Sequence, residues 1–203
     1  MSFFDIFRRG GSIDARDTLV DFLDAQSAFL AQKGLFEYSR ARAGPYGNLL
    51  FSDKEFIAEL EKARWLAFPV MLAMVGEAVE GVLRAAAGDR AGIASQGVIA
   101  AVLAVFDRYP APSSLSAEVW TDLRRDLERD LNFIGMHAVK RVMDIPARSV
   151  DRYLAAMPIH EKLRAKDDVT IHNYLKTNLC NVHELFVRRA NVPALVEVLT
   201  ASR

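Results

Sequence analysis

The sequence predicts an all-α protein, and three features lead to this prediction. Apolar residues recur at a spacing of about 3.6 residues from one end of the chain to the other. Strand-like alternation of apolar and polar residues is absent, and so are the Asn-Gly pairs that are typical of hairpin turns. No segment of about 20 to 50 residues is repeated, which argues against a solenoid. We therefore expect a compact single-domain bundle of about seven helices.

The first helix is expected over residues 14–33, and its pattern can continue through Tyr38. Its apolar residues fall on one side of a helical wheel; they are Leu19, Phe22, Leu23, Phe29 and Leu30. The sequence AGPYGN at residues 43–48 contains two glycines and a proline, and this composition predicts a loop.

The second helix is expected to be the longest. Ser52 and Glu55 have the spacing of a capping box, so the helix should begin near Asp53. It can extend as far as Ala87, because Gly88 follows and glycine commonly ends helices. Pro69 lacks a backbone donor and its ring collides with the preceding turn, so we expect a kink or a break in this central helix.

Two further helices follow in the middle of the chain. A helix rich in small residues is expected over residues 89–108, and Pro110 ends it. The next helix is expected over residues 116–133, because three leucines recur along one face while the charged sequence RRDLERD covers the other. We expect that row of leucines to be buried; it consists of Leu123, Leu127 and Leu131.

The end of the chain should contain three helices. Pro146 is suited to be the first residue of a short helix that reaches Met157. A longer helix is expected over residues 167–189, and its buried face should consist of Ile171, Leu175, Leu179, Val182 and Phe186. Asn191 and Pro193 are residue types that begin helices, which predicts one last short helix.

Composition limits the partners and compartments that we expect. Lysine plus arginine equals aspartate plus glutamate, 26 each, so no net field attracts nucleic acid, and we expect no nucleic-acid partner. The single cysteine excludes an internal disulfide. No apolar run approaches the roughly 18 residues of a transmembrane helix, and the first residues lack the order of a secretory signal. We therefore expect a cytoplasmic protein without a transmembrane segment.

Residues 1–11, MSFFDIFRRGG, are interpreted as an amphipathic tip that precedes a helical domain at residues 12–203. Phe3, Phe4 and Phe7 supply most of its apolar side, and two arginines follow. Such a tip can contact a membrane surface or a partner, and it can also dock onto its own domain or onto a second copy. A homodimer or a protein partner is thus expected.

Cys180 and His183, in the stretch NYLKTNLCNVHELF, come closest to the pattern of a reactive pair or of half a metal site. A cysteine in the middle of a helix lacks the cationic or helix-terminal surroundings that activate a thiol. His172 and His183 are separated by roughly 16 Å along the helix, too far to share a zinc ion. The patterns His-Glu-x-x-His and Glu-x-x-His do not occur. We expect no metal site and no cofactor.

A second cluster of polar residues surrounds the sequence MPIHEKLRAKDD at residues 157–168, and two interpretations of it are open. In the first, the charged residues are solvated, and Asn178 ties its helix to a neighbouring loop. In the second, the polar groups line a pocket. The pocket interpretation assigns catalytic roles to His160, Glu161 and His183 and binding roles to Arg164, Asn173 and Asn178. No Gly-x-Ser-x-Gly nucleophile motif accompanies them.

Two carboxylates interrupt the apolar centre of the second helix. On a helical wheel Glu77 and Glu80 lie opposite the apolar face, and Glu80 can pair with Arg84 at i, i+4. We therefore predict that both carboxylates belong to a solvated face.

Five strings of the sequence carry a resemblance to a known family. They are GLFEYSRARAGPYGNLLF, RWLAFPVMLAMVGEAVEGVL, VFDRYP, MPIHEKLR and NYLKTNLCNVHELF. Together they resemble a family of uncharacterised all-helical proteins from alphaproteobacteria, over nearly the whole chain. The resemblance implies a bacterial, cytoplasmic and all-helical protein. Some members carry an esterase label, but we transfer no catalytic residue because the nucleophile motif is missing here.

Two functional hypotheses follow from the sequence. The first is a non-catalytic cytoplasmic helical module that binds a partner or assembles as a homodimer. The alternative is an esterase-like hydrolase with a polar pocket around His160, Glu161, Asn178 and His183. Convergent polar groups in an enclosed pocket would favour the enzyme, whereas an exposed apolar surface would favour the module.

Overall fold

The structure is a computed structural model that describes residues 11–164 and 166–201. Within these residues the fold is all-α, as the sequence predicts, with seven α-helices of seven residues or more. They are α1 (Arg16–Ala43), α2 (Lys54–Ala86), α3 (Ala91–Phe106), α4 (Ala117–Ile134), α5 (Val150–Ala156), α6 (Asp168–Arg189) and α7 (Val192–Thr200). The phenylalanines of the predicted N-terminal tip, Phe3, Phe4 and Phe7, lie outside the described residues.

The bundle is organised around α2, which packs against each of the other six helices. Every residue from Ala67 to Gly76 is buried. A helix that is apolar on all sides is expected at the centre of a domain, because each of its faces can then be covered by a neighbour. The buried apolar residues form one cluster that extends from Ile13 to Leu199.

Pro69 lies inside α2 without ending it. The helix continues for 33 residues, so the break that the sequence allows is not observed. Proline removes one backbone hydrogen bond from a helix. Pro69 is itself buried among the other helices, and the burial of the apolar turn around it offsets this loss.

The N-terminal end of α2 is capped by Asp53. Its Oδ1 accepts a hydrogen bond from the backbone N–H of Phe56 at 2.8 Å. The predicted start of the helix is thus confirmed, but Ser52 is not the cap, because its hydroxyl donates to the carbonyl of Asn48 instead. An ionised carboxylate at this position also interacts favourably with the helix dipole.

Glycines with positive φ end the two longest helices. Gly44 follows α1 at φ 52°, and Gly88 follows α2 at φ 55°, a region that residues with a Cβ rarely adopt. The predicted loop at residues 43–48 is instead a 3₁₀ turn, Gly44–Tyr46, followed by one α-helical turn, Gly47–Leu50. The chain therefore reverses between α1 and α2 through two short helical turns.

Pro146 does not begin the short helix that the sequence predicts. It lies inside a 3₁₀ helix, Val142–Arg148, and α5 begins at Val150. The missing N–H of proline is tolerated in a short 3₁₀ segment, whose backbone bonds span three residues rather than four.

The predicted buried face of α6 is confirmed, and that of α4 is confirmed at two of its three leucines. Leu127 and Leu131 are 1% and 2% exposed, and Leu123 is half-buried against the same core. All five apolar residues predicted for the face of α6 are buried, namely Ile171, Leu175, Leu179, Val182 and Phe186.

Two segments are long and apolar enough to cross a membrane, namely the 33 residues of α2 and the 19 residues Gly88–Phe106. In the first, 72% of the most apolar window is buried inside the protein, and in the second 44%. The buried core helix of a soluble protein has the same length and composition as such a segment. The expected absence of a transmembrane segment therefore stays a prediction.

Candidate functional site

His160 and Glu161 lie on the surface between α5 and α6. Both side chains are exposed, and Glu161 begins the single helical turn Glu161–Arg164. The Nδ1 atom of His160 accepts a hydrogen bond from the backbone N–H of Lys162 at 3.2 Å. One ring nitrogen of the histidine is thus engaged by its own turn, as in a local cap.

Arg164 fastens this turn to the end of α5. Its Nη1 donates to the carbonyls of Leu154, Ala155 and Met157, the last at 3.0 Å. These carbonyls belong to the last turn of α5 and the residue that follows it, where helical partners are lacking. The guanidinium predicted to bind a ligand therefore satisfies backbone acceptors of the protein itself.

The polar residues of α6 are spread along the helix. The amide Nδ2 of Asn178 donates to the carbonyl of Tyr174, one turn earlier in the same helix, at 2.8 Å. It thus does not tie α6 to a neighbouring loop, which corrects one of the two interpretations of this residue. Asn173 lines a shallow depression of about 300 Å³ together with His172. Cys180 is a free thiol, and both it and His183 are half-buried.

The structure does not bring the predicted catalytic residues together. In residues 11–164 and 166–201, no hydrogen bond or ion pair joins any two of His160, Glu161, Asn178 and His183. None of these four residues lines any of five cavities found in the protein. The described residues also contain no group of three or more histidine, cysteine, aspartate or glutamate side chains that could hold a metal ion.

Glu80, which the sequence places on a solvated face, is buried. Its side chain is 2% exposed, and the side chain of Glu77 is mostly buried too, at 13% exposed. The connection between α4 and α5 lies over this part of α2, where Arg84 donates to the carbonyl of His137 and Lys140 pairs with Glu77. The prediction of a solvated face is therefore wrong, because exposure depends on a segment that lies far away in sequence.

Basic side chains hold this covering segment in place. The guanidinium of Arg84 pairs with Glu80 at 2.8 Å and donates to the carbonyl of His137 at 2.8 Å. Lys140 pairs with Glu77 at 2.7 Å. Arg84 thus bridges a carboxylate of α2 and a backbone carbonyl of the connection, while Lys140 ties the connection to a second carboxylate of α2.

The environment of Glu80 disfavours its charged form. Burial raises the pKa of the Glu80 carboxyl, and the hydroxyl of Ser95 and the guanidinium of Arg84 oppose this shift only in part. Glu80 lines none of the five cavities, whereas a raised carboxyl pKa serves catalysis only where substrate can reach the group. We therefore assign the cluster of Glu80, Arg84 and Ser95 to the stability of the fold.

An exposed apolar surface lies where the chain passes from α1 to α2. Four large apolar residues are between 42% and 72% exposed there, and we call them the apolar corner; they are Phe36, Tyr46, Leu49 and Ile57. A shallow depression of about 530 Å³ is lined by Tyr46, Leu49 and Leu50. A second depression, of about 470 Å³, shares Leu50 with the first and extends to Ile159.

Aromatic and polar contacts connect the apolar corner to the rest of the fold. The ring of Phe51 contacts that of Phe36, with centroids 4.6 Å apart, and that of Phe56, with centroids 5.4 Å apart. Nearby, the hydroxyl of Tyr38 donates to Asp167 at 2.5 Å, and Arg42 pairs with the same carboxylate at 2.8 Å. The C-terminal end of α1 is thus joined to the start of α6. The chain enters the apolar corner directly after this junction.

The sequence contained a signal for this surface that the loop prediction obscured. The stretch between the two helices, GPYGNLLF, contains four large apolar residues among the turn-forming glycines and proline. Because a loop lacks helical periodicity, its sequence does not show which of these side chains are buried. Only the positions of the neighbouring helices decide whether these side chains are covered.

Comparisons of the chain with protein-family models, with curated proteins and with solved structures found no match.

Proposed function

We propose that the protein is a non-catalytic helical module that assembles as a homodimer through the apolar corner. The observation that carries this proposal is the exposure of Tyr46 and Leu49, which reaches 71% and 72%. Two large apolar side chains so exposed, on a surface that continues into neighbouring apolar depressions, are typical of an interaction site. Their burial against a second molecule supplies the free energy of association.

The area of the corner suits a dimer interface. Its four residues together present roughly 450 Å², if about 200 Å² is taken for each large side chain when fully exposed. A stable interface covers about 800 Å² on each partner, and somewhat more than half of that area is apolar. The corner supplies most of the apolar half, and the half-exposed Leu50, Phe51 and Ile159 extend it.

The charges around the corner favour a second copy of the same chain. Basic side chains, Arg40 and Lys54, and acidic ones, Glu37 and Glu55, are all exposed near it. A two-fold axis places the same patch on both sides of the interface, so a rim of both signs can pair with itself. The chain carries equal numbers of basic and acidic residues, 26 each, so two copies do not repel one another.

The contacts of the predicted catalytic residues support the module over the hydrolase. His160 is bonded within its own turn, and Asn178 within its own helix. A hydrolase needs a nucleophile, a base and an oxyanion site that converge on one cavity. A cytoplasmic location and a bacterial origin belong to the same proposal, and the single cysteine is consistent with a reducing compartment.

Sedimentation velocity of the full-length protein over a range of concentrations tests the proposal. The wild-type protein should sediment as a dimer, and Tyr46→Lys and Leu49→Lys should each shift it to the monomer. The introduced charge would have to be buried without a partner at the interface. Ile93→Lys is the matched control, because Ile93 is also an exposed apolar residue, at 56%, but lies on α3.

Cross-linking gives a second measurement. Leu49→Cys in a Cys180→Ser background should form a disulfide-linked dimer under mild oxidation, and Ile93→Cys in the same background should not. A wild-type protein that is monomeric at every concentration would contradict the homodimer. So would corner variants that remain dimeric, because the interface would then lie elsewhere.

A further inference from the structure

A crevice of about 390 Å³ lies between α2, α4 and the chain that passes from the 3₁₀ helix Val142–Arg148 into α5. Its floor consists of apolar side chains, among them Met74 and Ile145. Three carboxylates and three guanidinium groups stand around this floor, and we call the site the arginine crevice; they are Glu77, Asp126, Asp130, Arg129, Arg148 and Arg152. An apolar floor with a few polar groups around it is the usual form of a small-molecule site.

Two of the three carboxylates are paired within the walls of the crevice. Asp126 pairs with Arg129 at 2.9 Å, one turn along α4. Asp130, also on α4, pairs with Arg152 of α5. The second pair joins the two helices that face one another across the crevice. Neither pair leaves a net charge for a ligand.

The third carboxylate also has a cation, so one arginine of the crevice remains without an anion. Glu77 pairs with Lys140 at 2.7 Å. The guanidinium carbon of Arg148 lies instead over the ring of Phe133, 4.4 Å from its centroid, and no carboxylate pairs with Arg148 in residues 11–164 and 166–201. The charged groups of the crevice and their partners therefore sum to one positive charge. A ligand with one negative charge balances it.

The hydrogen-bond donors of Arg148 can reach a ligand. Its side chain is exposed, and the contact with the Phe133 ring uses no hydrogen-bond acceptor. Its five N–H donors thus have no acceptor among the residues that the structure describes. The hydroxyl of the neighbouring Ser149 also lines the crevice, and it does not cap α5. A planar guanidinium matches the two oxygens of a carboxylate better than it matches a single acceptor.

The position of Arg148 is restricted before a ligand arrives. Phe133 is itself 47% exposed, and the attraction between a cation and an aromatic ring holds the guanidinium beside it. Arginine otherwise loses much rotational freedom when it binds a partner. A side chain that is already restricted loses less of this freedom, so more of the interaction contributes to affinity.

We propose that the arginine crevice binds a small organic monocarboxylate. Its carboxylate accepts hydrogen bonds from Arg148, and its apolar part lies on the floor that includes Met74 and Ile145. A dianion fits less well, because its second charge would lie near the carboxylates of α4 with no further unpaired cation in the lining. The crevice shares no residue with the apolar corner, and the proposal does not depend on the homodimer.

Two probes with the same carbon chain test the need for charge. Hexanoate is a monoanion at neutral pH, and hexanamide is its uncharged counterpart. Titration of the ¹⁵N-labelled full-length protein, followed by NMR, should show saturable shifts of the backbone amides of Met74 and Ser149 with hexanoate. Hexanamide should bind about tenfold more weakly, since it lacks the charge-assisted hydrogen bonds. Inorganic phosphate at the same ionic strength should not displace hexanoate.

Two arginine variants test the location. Arg148→Gln should bind hexanoate about tenfold more weakly and should no longer distinguish it from hexanamide. Arg125→Gln is the matched control, because Arg125 is an exposed arginine of α4 that pairs with Asp122 outside the crevice. It should bind both probes as the wild type does.

Three results would overturn the proposal. The first is the absence of saturable shifts at Met74 and Ser149 with hexanoate. The second is equal binding of hexanoate and hexanamide by the wild-type protein. The third is an Arg148→Gln variant that binds hexanoate as tightly as Arg125→Gln does. Displacement by phosphate would likewise contradict a site for a monocarboxylate.

Discussion

The two ends of α2 depart from the usual distribution of residues in opposite ways. At the N-terminal end, the large apolar residue Ile57 is 43% exposed. At the C-terminal end, Glu80 is 2% exposed. One helix thus leaves apolar surface in water at one end and buries a carboxylate at the other.

The buried carboxylate and the exposed apolar residues differ in whether the protein itself provides a partner for them. Glu80 finds a cation on its own helix, in Arg84, and the basic side chains there also hold the covering segment. In the part of the chain that the structure describes, nothing comparable covers Tyr46 or Leu49. A buried charge that is paired within the protein indicates a role in stability. An exposed apolar surface that no part of the described chain covers indicates a partner molecule. This difference is the basis for assigning the dimer interface to the apolar corner.

The largest expected effect on stability is at the C-terminal end of α2. Arg84→Met should lower the free energy of unfolding by about 3 to 5 kcal/mol, because it leaves the buried carboxylate of Glu80 without its cation. Urea denaturation measures it. Arg125→Met is the control, since Arg125 forms an exposed pair with Asp122, and its loss should cost less than about 1 kcal/mol. If both variants lowered the free energy of unfolding equally, the buried pair would contribute no more to stability than the exposed pair.

A matched pair of leucines compares the ends directly. Leu83→Ala should cost about 2 to 5 kcal/mol, because Leu83 is fully buried and its truncation leaves a cavity. Leu49→Ala should change the free energy of unfolding by no more than about 0.5 kcal/mol when dilute, monomeric protein is measured. A large loss in Leu49→Ala under those conditions would mean that the corner is covered within the monomer.

The stability of the protein should depend on pH through Glu80. A carboxyl whose pKa is raised in the folded state stabilises the fold below its ordinary pKa of 4.5, and this contribution is lost as the pH rises through the raised value. Each unit by which the pKa is raised on folding corresponds to about 1.4 kcal/mol in the free energy of unfolding.

Urea denaturation of wild-type protein and Glu80→Gln across this pH range measures the effect. The stability of the variant relative to the wild type should increase with pH, because glutamine does not titrate. Glu184→Gln, at an exposed position, should show no such trend. A constant difference between Glu80→Gln and the wild type would contradict the raised pKa.

The smallest effect is expected at the junction beneath the corner. Tyr38→Phe removes the hydroxyl that donates to Asp167 and should lower the free energy of unfolding by about 1 kcal/mol. Tyr46→Phe should leave it unchanged, since the hydroxyl of Tyr46 belongs to a side chain that is 71% exposed. If the two variants are equally stable, the contact between α1 and α6 does not hold the corner in place.

Much of the fold could be predicted because its determinants are local. The periodicity of apolar residues placed the long helices, and the buried faces of α4 and α6 agree with the predicted residues. The errors occur where neighbouring residues are equally suited to begin or cap a helix. Asp53 rather than Ser52 caps α2, and Pro146 lies within a 3₁₀ helix rather than at a helix start. Adjacent residues of suitable type compete for these positions, and small differences in geometry decide between them.

The candidate sites could not be predicted in the same way. His160, Asn178 and Arg164 looked like pocket residues because polar groups near one another in sequence suggest a common site. Each of them instead bonds to backbone within its own turn, its own helix or the end of α5. A cavity of about 290 Å³ likewise combines residues from α1, α2 and the connection that follows α3, none of which forms a motif in the sequence.

The sequence by itself determined the helical class, the long central helix and the faces that enter the core. These properties follow from side-chain periodicity and backbone preferences within a few residues. Only the tertiary structure decided that Glu80 is covered, that Tyr46 and Leu49 are not, and that Ala28 lies opposite Trp65. Exposure is a property of the neighbours that pack around a residue, and those neighbours come from segments that local patterns do not connect.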